Sequence, residues 1–425
     1  MSTVARRRTR RLGAVAAAVV AALTGLGVAA PAHADLLPPP PRSDPFYDPP
    51  ADFADTTPGT VLRSRPVQLG ISVAATAWQL LYRTTDLDGR PDATVTTVLL
   101  PAGAREDRPL AAFQAYENSS APDCVTSYQL ELPDLPINAA TMQRPDIAEL
   151  LQRGWAVSIA DFEGRRGHFA VADEPGYLIL DGIRAAEHFG PLGLNAHTRV
   201  GLYGNSGGGL ATGWAAEVQP RYAPELNLAG ASIGTPVPAP SDSIRKSNGT
   251  VSAGLGGDLF ASLATAYPEF GDAVRAHMSP EGLAALDTVR AQCVIANNFR
   301  FMFTDWQRYL DLPLDQFLAL PPVSDVLRRV SLGGHAPTAP IFLYQDVHDE
   351  IISVGSTDAL AEKYCAAGTS VDYVRDLTAD HTSIGDAGRP AAIGWLAQRL
   401  DAGAPAPSGC ATRDVRSVSE LDGSN

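Results

Sequence analysis

Apolar and polar positions follow two different periods along the chain, and together they predict strands that alternate with helices. Short runs rich in branched and aromatic residues, each bounded by turn-forming residues, are typical of β-strands. Segments whose apolar residues recur every three to four positions predict helices between those runs. This alternation indicates an α/β fold with a mostly parallel sheet that is covered on both faces. The predicted strands are 77–84, 94–100, 110–116, 155–161, 228–233, 341–345 and 371–376, and the predicted helices are 146–153, 178–188, 357–366 and 387–400.

The alternation stops between residues 236 and 334. Prolines at 236, 238 and 240 mark the boundary, and the glycine-rich stretch 254–257 is expected to be flexible. Most of the remaining segment has a helical pattern, so we predict a helical cap that is inserted into the sheet fold. The predicted cap helices are 259–267, 271–277, 281–290, 314–318 and 323–330.

The first 34 residues have the parts of a secretory signal peptide. Five arginines precede an apolar stretch at 13–30, and Ala32-His33-Ala34 fits the small-x-small cleavage pattern. A retained membrane anchor is the alternative, but the proline-rich segment 37–41 favours cleavage after Ala34 and secretion. The predicted organisation is a signal peptide at 1–34, a core in two parts at 35–235 and 335–410, the cap at 236–334 and a polar tail at 411–425.

The charge of the chain makes two kinds of partner unfavourable. The 425 residues include 47 acidic and 33 basic side chains, for a formal net charge of −14, and loss of the five leader arginines makes it −19. A surface this acidic repels nucleic acid and anionic membranes. After the leader, no apolar stretch is long enough to span a bilayer. We therefore expect no nucleic-acid partner, only transient contact with a lipid interface, and a monomer.

Four cysteines follow the leader, at positions 124, 293, 365 and 410. An even number in an exported chain predicts two disulfides, and three connectivities are possible. No C-x-x-C motif or cluster of cysteine and histidine supports a metal site. We therefore expect no metal and no other cofactor.

The segment Gly204-Asn205-Ser206-Gly207-Gly208 lies between an apolar run and an alanine-rich helical segment. Strand, G-x-S-x-G and helix in this order form the nucleophile elbow of the α/β-hydrolases. Cβ atoms at the flanking glycines would collide with the neighbouring strand and helix. The turn exposes the Ser206 hydroxyl and leaves the Gly207 amide free to stabilise an oxyanion. A glycine-rich turn with an incidental serine is the alternative, and the spacing fits neither phosphate-binding glycine motif.

A nucleophilic serine needs a base and an acid that orients the base. In this fold the acid and then the histidine follow the serine, on loops after later strands. Asp349 and His381 each come just past a predicted strand, so we predict that His381 takes the Ser206 proton and that Asp349 orients the ring. The neighbouring carboxyl groups of Asp346 and Glu350 are alternatives for the acid.

The oxyanion needs a second donor from the loop after an early strand. Predicted strand 110–116 is followed by Glu117 and Asn118. Asn118 can donate through its backbone amide, its side-chain amide or both. We therefore predict an oxyanion hole formed by Gly207 and Asn118.

With these motifs in order, the chain resembles the secretory lipases of fungi and actinobacteria, the group that contains Candida antarctica lipase A. The resemblance covers most of the mature chain, and the order and separation of its motifs make it specific. The matching motifs are Ala115-Tyr-Glu-Asn118, Asp123-Cys124, Leu180-Asp-Gly-Ile-Arg-Ala185, Ala211-Thr-Gly-Trp-Ala215, Tyr222-Ala-Pro-Glu-Leu226, His348-Asp-Glu-Ile351 and Asp380-His381.

The resemblance implies an α/β-hydrolase fold with an inserted cap, a lipid or small-ester substrate and no cofactor. It implies Ser206 as nucleophile, Asp349 as acid, His381 as base, and donors at Gly207 and Asn118. It also implies the disulfides Cys124–Cys293 and Cys365–Cys410. Related lipases carry aspartate where Asn118 stands, so a carboxyl that must be protonated to donate is replaced here by a neutral amide.

The sequence therefore predicts a secreted serine lipase or esterase that hydrolyses acylglycerol esters through an acyl-enzyme. A short-chain or aryl carboxylesterase, a serine peptidase on the same fold and a non-enzymatic binding protein are the alternatives. Apolar cap residues could line an acyl tunnel or form the core of the cap itself. These residues are Leu259, Phe260, Leu263, Phe299, Phe301, Phe303 and Phe317.

Overall fold

The computed structural model describes residues 37–134, 138–400 and 407–421, and ten strands in these ranges form one sheet. The predicted signal peptide lies outside the described residues. The strands are β1 (Val61–Val67), β2 (Ala75–Thr85), β3 (Pro91–Pro101), β4 (Leu110–Gln114), β5 (Ala156–Ala160), β6 (Val200–Asn205), β7 (Leu228–Gly234), β8 (Ile341–Asp346), β9 (Val371–Asp376) and β10 (Cys410–Val415).

The order of the strands across the sheet is β1-β2-β3-β5-β4-β6-β7-β8-β9-β10. The pairs from β1 to β2, β2 to β3 and β3 to β5 are antiparallel, and all the others are parallel. The predicted α/β fold with a mostly parallel sheet is therefore confirmed. Since β4 to β10 run in the same direction, the loops at their carboxyl ends meet at one edge of the sheet.

Fourteen α-helices occur in the described residues, and seven of them lie between β7 and β8. The boundaries predicted for the cap remain a prediction. The helices are α1 (Thr126–Gln129), α2 (Ala139–Met142), α3 (Arg144–Gln152), α4 (Glu174–His188), α5 (Gly207–Tyr222), α6 (Pro240–Ser247), α7 (Ala253–Ala266), α8 (Pro268–His277), α9 (Pro280–Val289), α10 (Val294–Arg300), α11 (Leu314–Leu318), α12 (Pro321–Arg329), α13 (Val354–Ala366) and α14 (His381–Leu400).

The glycine-rich stretch at 254–257, expected to be flexible, belongs to α7. A Cβ atom at Gly254 would collide with the backbone of Asn297 in α10, and one at Gly257 would collide with the ring of Trp306. The glycines therefore allow α7 to pack closely against its neighbours. Here close packing outweighs the low helix propensity of glycine.

Both edge strands are absent from the sequence-based prediction. β1 contains two arginines and a proline, and β10 is largely exposed, so neither has the apolar alternation that reveals an inner strand. β10 pairs with β9 along its whole length. The predicted polar tail at 411–425 therefore begins with a strand, which includes residues 411–415.

Two apolar clusters cover the two faces of the sheet. One contains Leu202 and Leu343 and continues into the cap, where it includes Phe260. The other contains Tyr203 and packs against Trp395 of α14. Since neighbouring residues of a strand point to opposite faces, the central strands are apolar on both sides, as parallel strands between helices require.

Two disulfides connect distant parts of the chain. Cys124, in the loop after β4, pairs with Cys293 at the start of α10, and Cys365 of α13 pairs with Cys410 of β10. These are the pairs that the resemblance implied. They close loops with sequence separations of 169 and 45 residues and restrict the unfolded chain accordingly.

Candidate active site

Ser206 occupies a sharp turn between β6 and α5. Its φ is +55°, in a region that residues other than glycine rarely adopt. A Cβ atom at Gly204 would collide with the carbonyl oxygen of Gly208, and one at Gly208 would collide with that of Gln114. The two glycines are therefore required where the turn passes closest to its neighbours.

The three residues predicted to form a catalytic triad lie at the carboxyl edge of the sheet and contact one another. Ser206 Oγ is 2.9 Å from His381 Nε2, and His381 Nδ1 is 2.8 Å from Asp349 Oδ2. Asp349 follows β8, and His381 begins α14 after β9. Parallel strands thus bring together residues that are far apart in the sequence.

Asp349 is buried and receives several hydrogen bonds. Its Oδ1 accepts from the amides of Ile351 and Ile352 at 2.8 and 2.7 Å, and its Oδ2 accepts from Gln345 Nε2 at 2.8 Å. Burial raises the pKa of Asp349, but the hydrogen bond and charge of His381 and the two amides outweigh it. The net pKa lies below the usual value, so the carboxyl stays ionised beside the imidazole.

The alternative acids occupy different positions. Asp346 is fully buried, and neither of its carboxyl oxygens has a hydrogen-bond partner among the described residues. Burial, followed by the charge of Asp349, raises the pKa of Asp346 to about 8, so it is neutral at pH 7. Glu350 Oε2 accepts the backbone amide of His381 at 3.0 Å and so supports the main chain of that residue. Of these three acids, Asp349 is the one that bonds to the His381 ring.

The two predicted oxyanion donors are adjacent. A Cβ atom at Gly207 would collide with Oδ1 of the Asn118 side-chain amide, so the Asn118 side chain lies directly over Gly207. Asn118 is buried and has a φ of +50°. The loop after β4 therefore carries a neutral amide to the N-terminus of α5, beside Ser206.

Sequence reasoning missed the residues that support this site. Gln345 holds Asp349, Glu350 holds His381, and the buried carboxyl of Glu163 lies beneath the loop that carries Asn118. One signal was available for Glu163, since it follows β5 at the same edge of the sheet. No group of three histidine, cysteine or acidic residues in the described ranges is placed to hold a metal ion. None of the helices described is both long and apolar enough to cross a membrane.

Comparison with known proteins gives consistent matches over most of the chain. Residues 134–409 match the family described as secretory lipase. A probable inactive lipase of Mycobacterium tuberculosis is 41% identical over 372 residues, which cover 86% of this chain and 83% of that protein. Lipase A of Arthroderma benhamiae is 36% identical over 391 residues, covering 88% and 83%. The crystal structure of Candida antarctica lipase A has a TM-score of 0.82 at 28% identity, covering 89% of this chain and 90% of that one.

Proposed function

This chain belongs to the secretory lipase family and is a carboxylic ester hydrolase with the α/β-hydrolase fold, and we propose that it hydrolyses acylglycerol esters through Ser206, His381 and Asp349. The observation that carries the proposal is the continuous path of hydrogen bonds from Ser206 Oγ through the His381 ring to Asp349. We also propose that the chain is exported after cleavage following Ala34.

In the proposed reaction, Ser206 Oγ attacks the ester carbonyl while His381 Nε2 accepts its proton. The imidazolium is stabilised by the ionised Asp349 and then gives the proton to the departing alkoxide. The resulting acyl-enzyme is hydrolysed by water, which His381 activates in the same way. The amide of Gly207 and the side-chain amide of Asn118 donate to the oxyanion of each tetrahedral intermediate.

A surface of the cap supports contact with a lipid–water interface. Seven large hydrophobic side chains are exposed in the described residues, and four of them, Val251, Phe299, Met302 and Phe303, lie in the segment between β7 and β8. The Phe303 amide donates to the carbonyl of Thr250 at 2.7 Å, so the two stretches are neighbours. Four side chains are fewer than a stable dimer needs to bury, which favours a monomer that contacts lipid transiently.

The interior of the cap favours a second candidate, an esterase for short acyl chains. Phe260 and Phe317, proposed as tunnel residues, are fully buried, and their ring centroids are 5.8 Å apart. Phe260 also packs against Phe270 and Trp306. These rings fill the core of the cap, so a long acyl chain would need the cap to move.

The proposal is tested with p-nitrophenyl esters of two to eighteen acyl carbons, using the mature protein and Ser206→Ala. We expect hydrolysis by the wild type that rises toward long chains when the substrate is emulsified, and no turnover by the variant at an unchanged melting temperature. A maximum at two to four carbons would establish the short-chain esterase. Equal rates in the two proteins would show that Ser206 is not the nucleophile.

Because a similar protein of M. tuberculosis is described as a probable inactive lipase, the same assays need a third outcome. If neither the wild type nor Ser206→Ala hydrolyses any ester, and a fluorophosphonate does not label Ser206 of the wild type, this chain is a non-enzymatic member of the family. Preference for p-nitroanilides over the matching esters would instead identify a peptidase.

A further inference from the structure

A buried side chain that the proposed reaction does not use supports the loop that carries Asn118. Glu163 follows β5 and is 3% exposed. Its Oε2 accepts a hydrogen bond from the Ser119 amide at 3.1 Å, one residue after Asn118. With the neighbouring main chain held in this way, the side chain of Asn118 lies over Gly207.

The backbone of Asn118 needs such a restraint. Its φ of +50° is in the left-handed region, which asparagine adopts more readily than most residues but which still needs its surroundings to select it. On the cap side, Ser119 Oγ donates to the carbonyl of Gln292 at 3.2 Å, next to the Cys124–Cys293 disulfide. On the sheet side, the restraint is the carboxyl of Glu163.

We propose that Glu163 is a positioning residue for ester hydrolysis, because its carboxyl accepts the amide of Ser119, next to Asn118, and so fixes the left-handed turn that holds the Asn118 side chain over Gly207. This inference rests on the proposed function, since it concerns the second donor to the oxyanion. It assigns Glu163 no contact with the substrate. Its effect passes through Asn118.

The charge state of Glu163 suits this role. Burial raises the pKa of Glu163 to about 8, so the group is predominantly neutral at pH 7. A neutral carboxyl can accept the amide hydrogen of Ser119 without placing a negative charge beneath the position where the oxyanion forms. An ionised carboxyl at the same place would oppose that developing charge.

Two substitutions separate the acceptor from the rest of the side chain. Glu163→Gln keeps a neutral group of the same shape with an acceptor oxygen, and Glu163→Met keeps the volume but removes the acceptor. Asp161 supplies the matched control, because it is equally buried two residues earlier but accepts the amide and hydroxyl of Ser127 instead. Its variants are Asp161→Asn and Asp161→Leu.

Kinetics with p-nitrophenyl butyrate at pH 7 test the inference. We expect Glu163→Gln to keep kcat within about threefold of the wild type. Glu163→Met should lower kcat by about 10- to 100-fold and change KM by less than about twofold. The loss should be smaller than the roughly 100- to 1,000-fold decrease in kcat that follows complete loss of one oxyanion donor. The Asp161 variants should change the melting temperature while kcat stays within about threefold. If they lower kcat as much as Glu163→Met does, or if Glu163→Met has the kcat of the wild type, Glu163 does not position the loop.

A double-mutant cycle with Asn118→Ala tests whether the effect passes through Asn118. We expect Asn118→Ala to lower kcat and the added Glu163→Met to lower it little further, because the restraint then has no donor to position. Additive losses would overturn the inference. If Glu163→Met does not fold, Glu163→Asp replaces it in the cycle, because its side chain is one methylene shorter and moves the acceptor away from the loop. Absence of Ser206-dependent turnover in the wild type would refute the proposed function, whereas normal wild-type turnover with unaffected Glu163 variants would refute only the positioning role.

Discussion

The loops after β8 and β5 both bury carboxyl groups at the carboxyl edge of the sheet, yet these groups differ in charge. After β8, Asp349 bonds to the His381 ring and to two amides, and its pKa lies below the usual value. After β5, Asp161 and Glu163 are buried as deeply and bond only to amides and a hydroxyl. Burial raises their pKa values to about 7 and about 8. Of these three carboxyl groups, the one with a lowered pKa is therefore the one that bonds to an imidazole.

The difference in charge between Asp349 and Glu163 suits the different roles that we propose for these two residues. In the proposed reaction an ionised carboxyl is useful at Asp349, because it would stabilise the imidazolium that forms when His381 accepts a proton. In the positioning role proposed for Glu163 a neutral carboxyl is useful, because it can hold a backbone turn close to a forming anion without repelling that anion. Asp346 shows that position alone does not decide the charge, since it lies only three residues before Asp349 and has a raised pKa.

The largest effect is expected at Asp349. Asp349→Asn should lower kcat by roughly 1,000- to 10,000-fold, because an amide neither stabilises the imidazolium nor selects the same ring tautomer. The measurement is kcat for p-nitrophenyl butyrate at pH 8, with His348→Ala as a control on the same loop that should stay within about twofold. A variant that keeps more than a tenth of the wild-type kcat would move the acid role to another carboxyl.

A medium effect is expected on stability at Asp346. Its pKa is raised in the folded state, so the unfolded chain releases the proton first and stability falls as the pH rises from about 4 to about 8. Asp346→Asn has no such group to ionise. The free energy of unfolding of the variant minus that of the wild type should therefore increase by about 1–3 kcal/mol between pH 4 and pH 8.

Urea unfolding at pH 4.5 and pH 8 measures this difference for Asp346. A constant difference between the two proteins would mean that Asp346 is ionised in the folded state as well. The distinction between the two carboxyls of this loop would then fail.

The smallest effect is expected at Glu350. Glu350→Gln keeps an acceptor for the His381 amide, so kcat should stay within about threefold of the wild type from pH 6 to pH 9. A pH profile of kcat measures this. A larger loss would show that the negative charge of Glu350 contributes to the site, and Asp349 would no longer be the only ionised group that matters there.

Much of the inner fold could be predicted because its signals are local. The eight strands from β2 to β9 have apolar runs that fit the period of a strand, and the helices around them have apolar faces. The edge strands, α6 and α10 have weaker patterns. The glycines at the start of α7 mislead a local analysis, because their reason for being there is the approach of Asn297 and Trp306 from elsewhere in the chain.

The cap illustrates the same limit. Seven apolar residues were candidates for an acyl tunnel, but Phe299 and Phe303 are 67% and 63% exposed, and Phe260 and Phe317 are fully buried in the core of the cap. Hydrophobicity predicts that a side chain prefers an apolar environment. It does not say whether that environment is a core, a substrate or a lipid surface.

By itself the sequence determined the elbow and the order of serine, acid and histidine, because a glycine-flanked turn and the sequence of strands are properties of neighbouring residues. Only the tertiary structure decided which carboxyl meets the His381 ring and which carboxyl lies beneath the loop that carries Asn118. These contacts depend on how parallel strands bring distant loops to one edge of the sheet. The charge of each buried carboxyl follows from the partners found there, because burial alone raises the pKa of all of them.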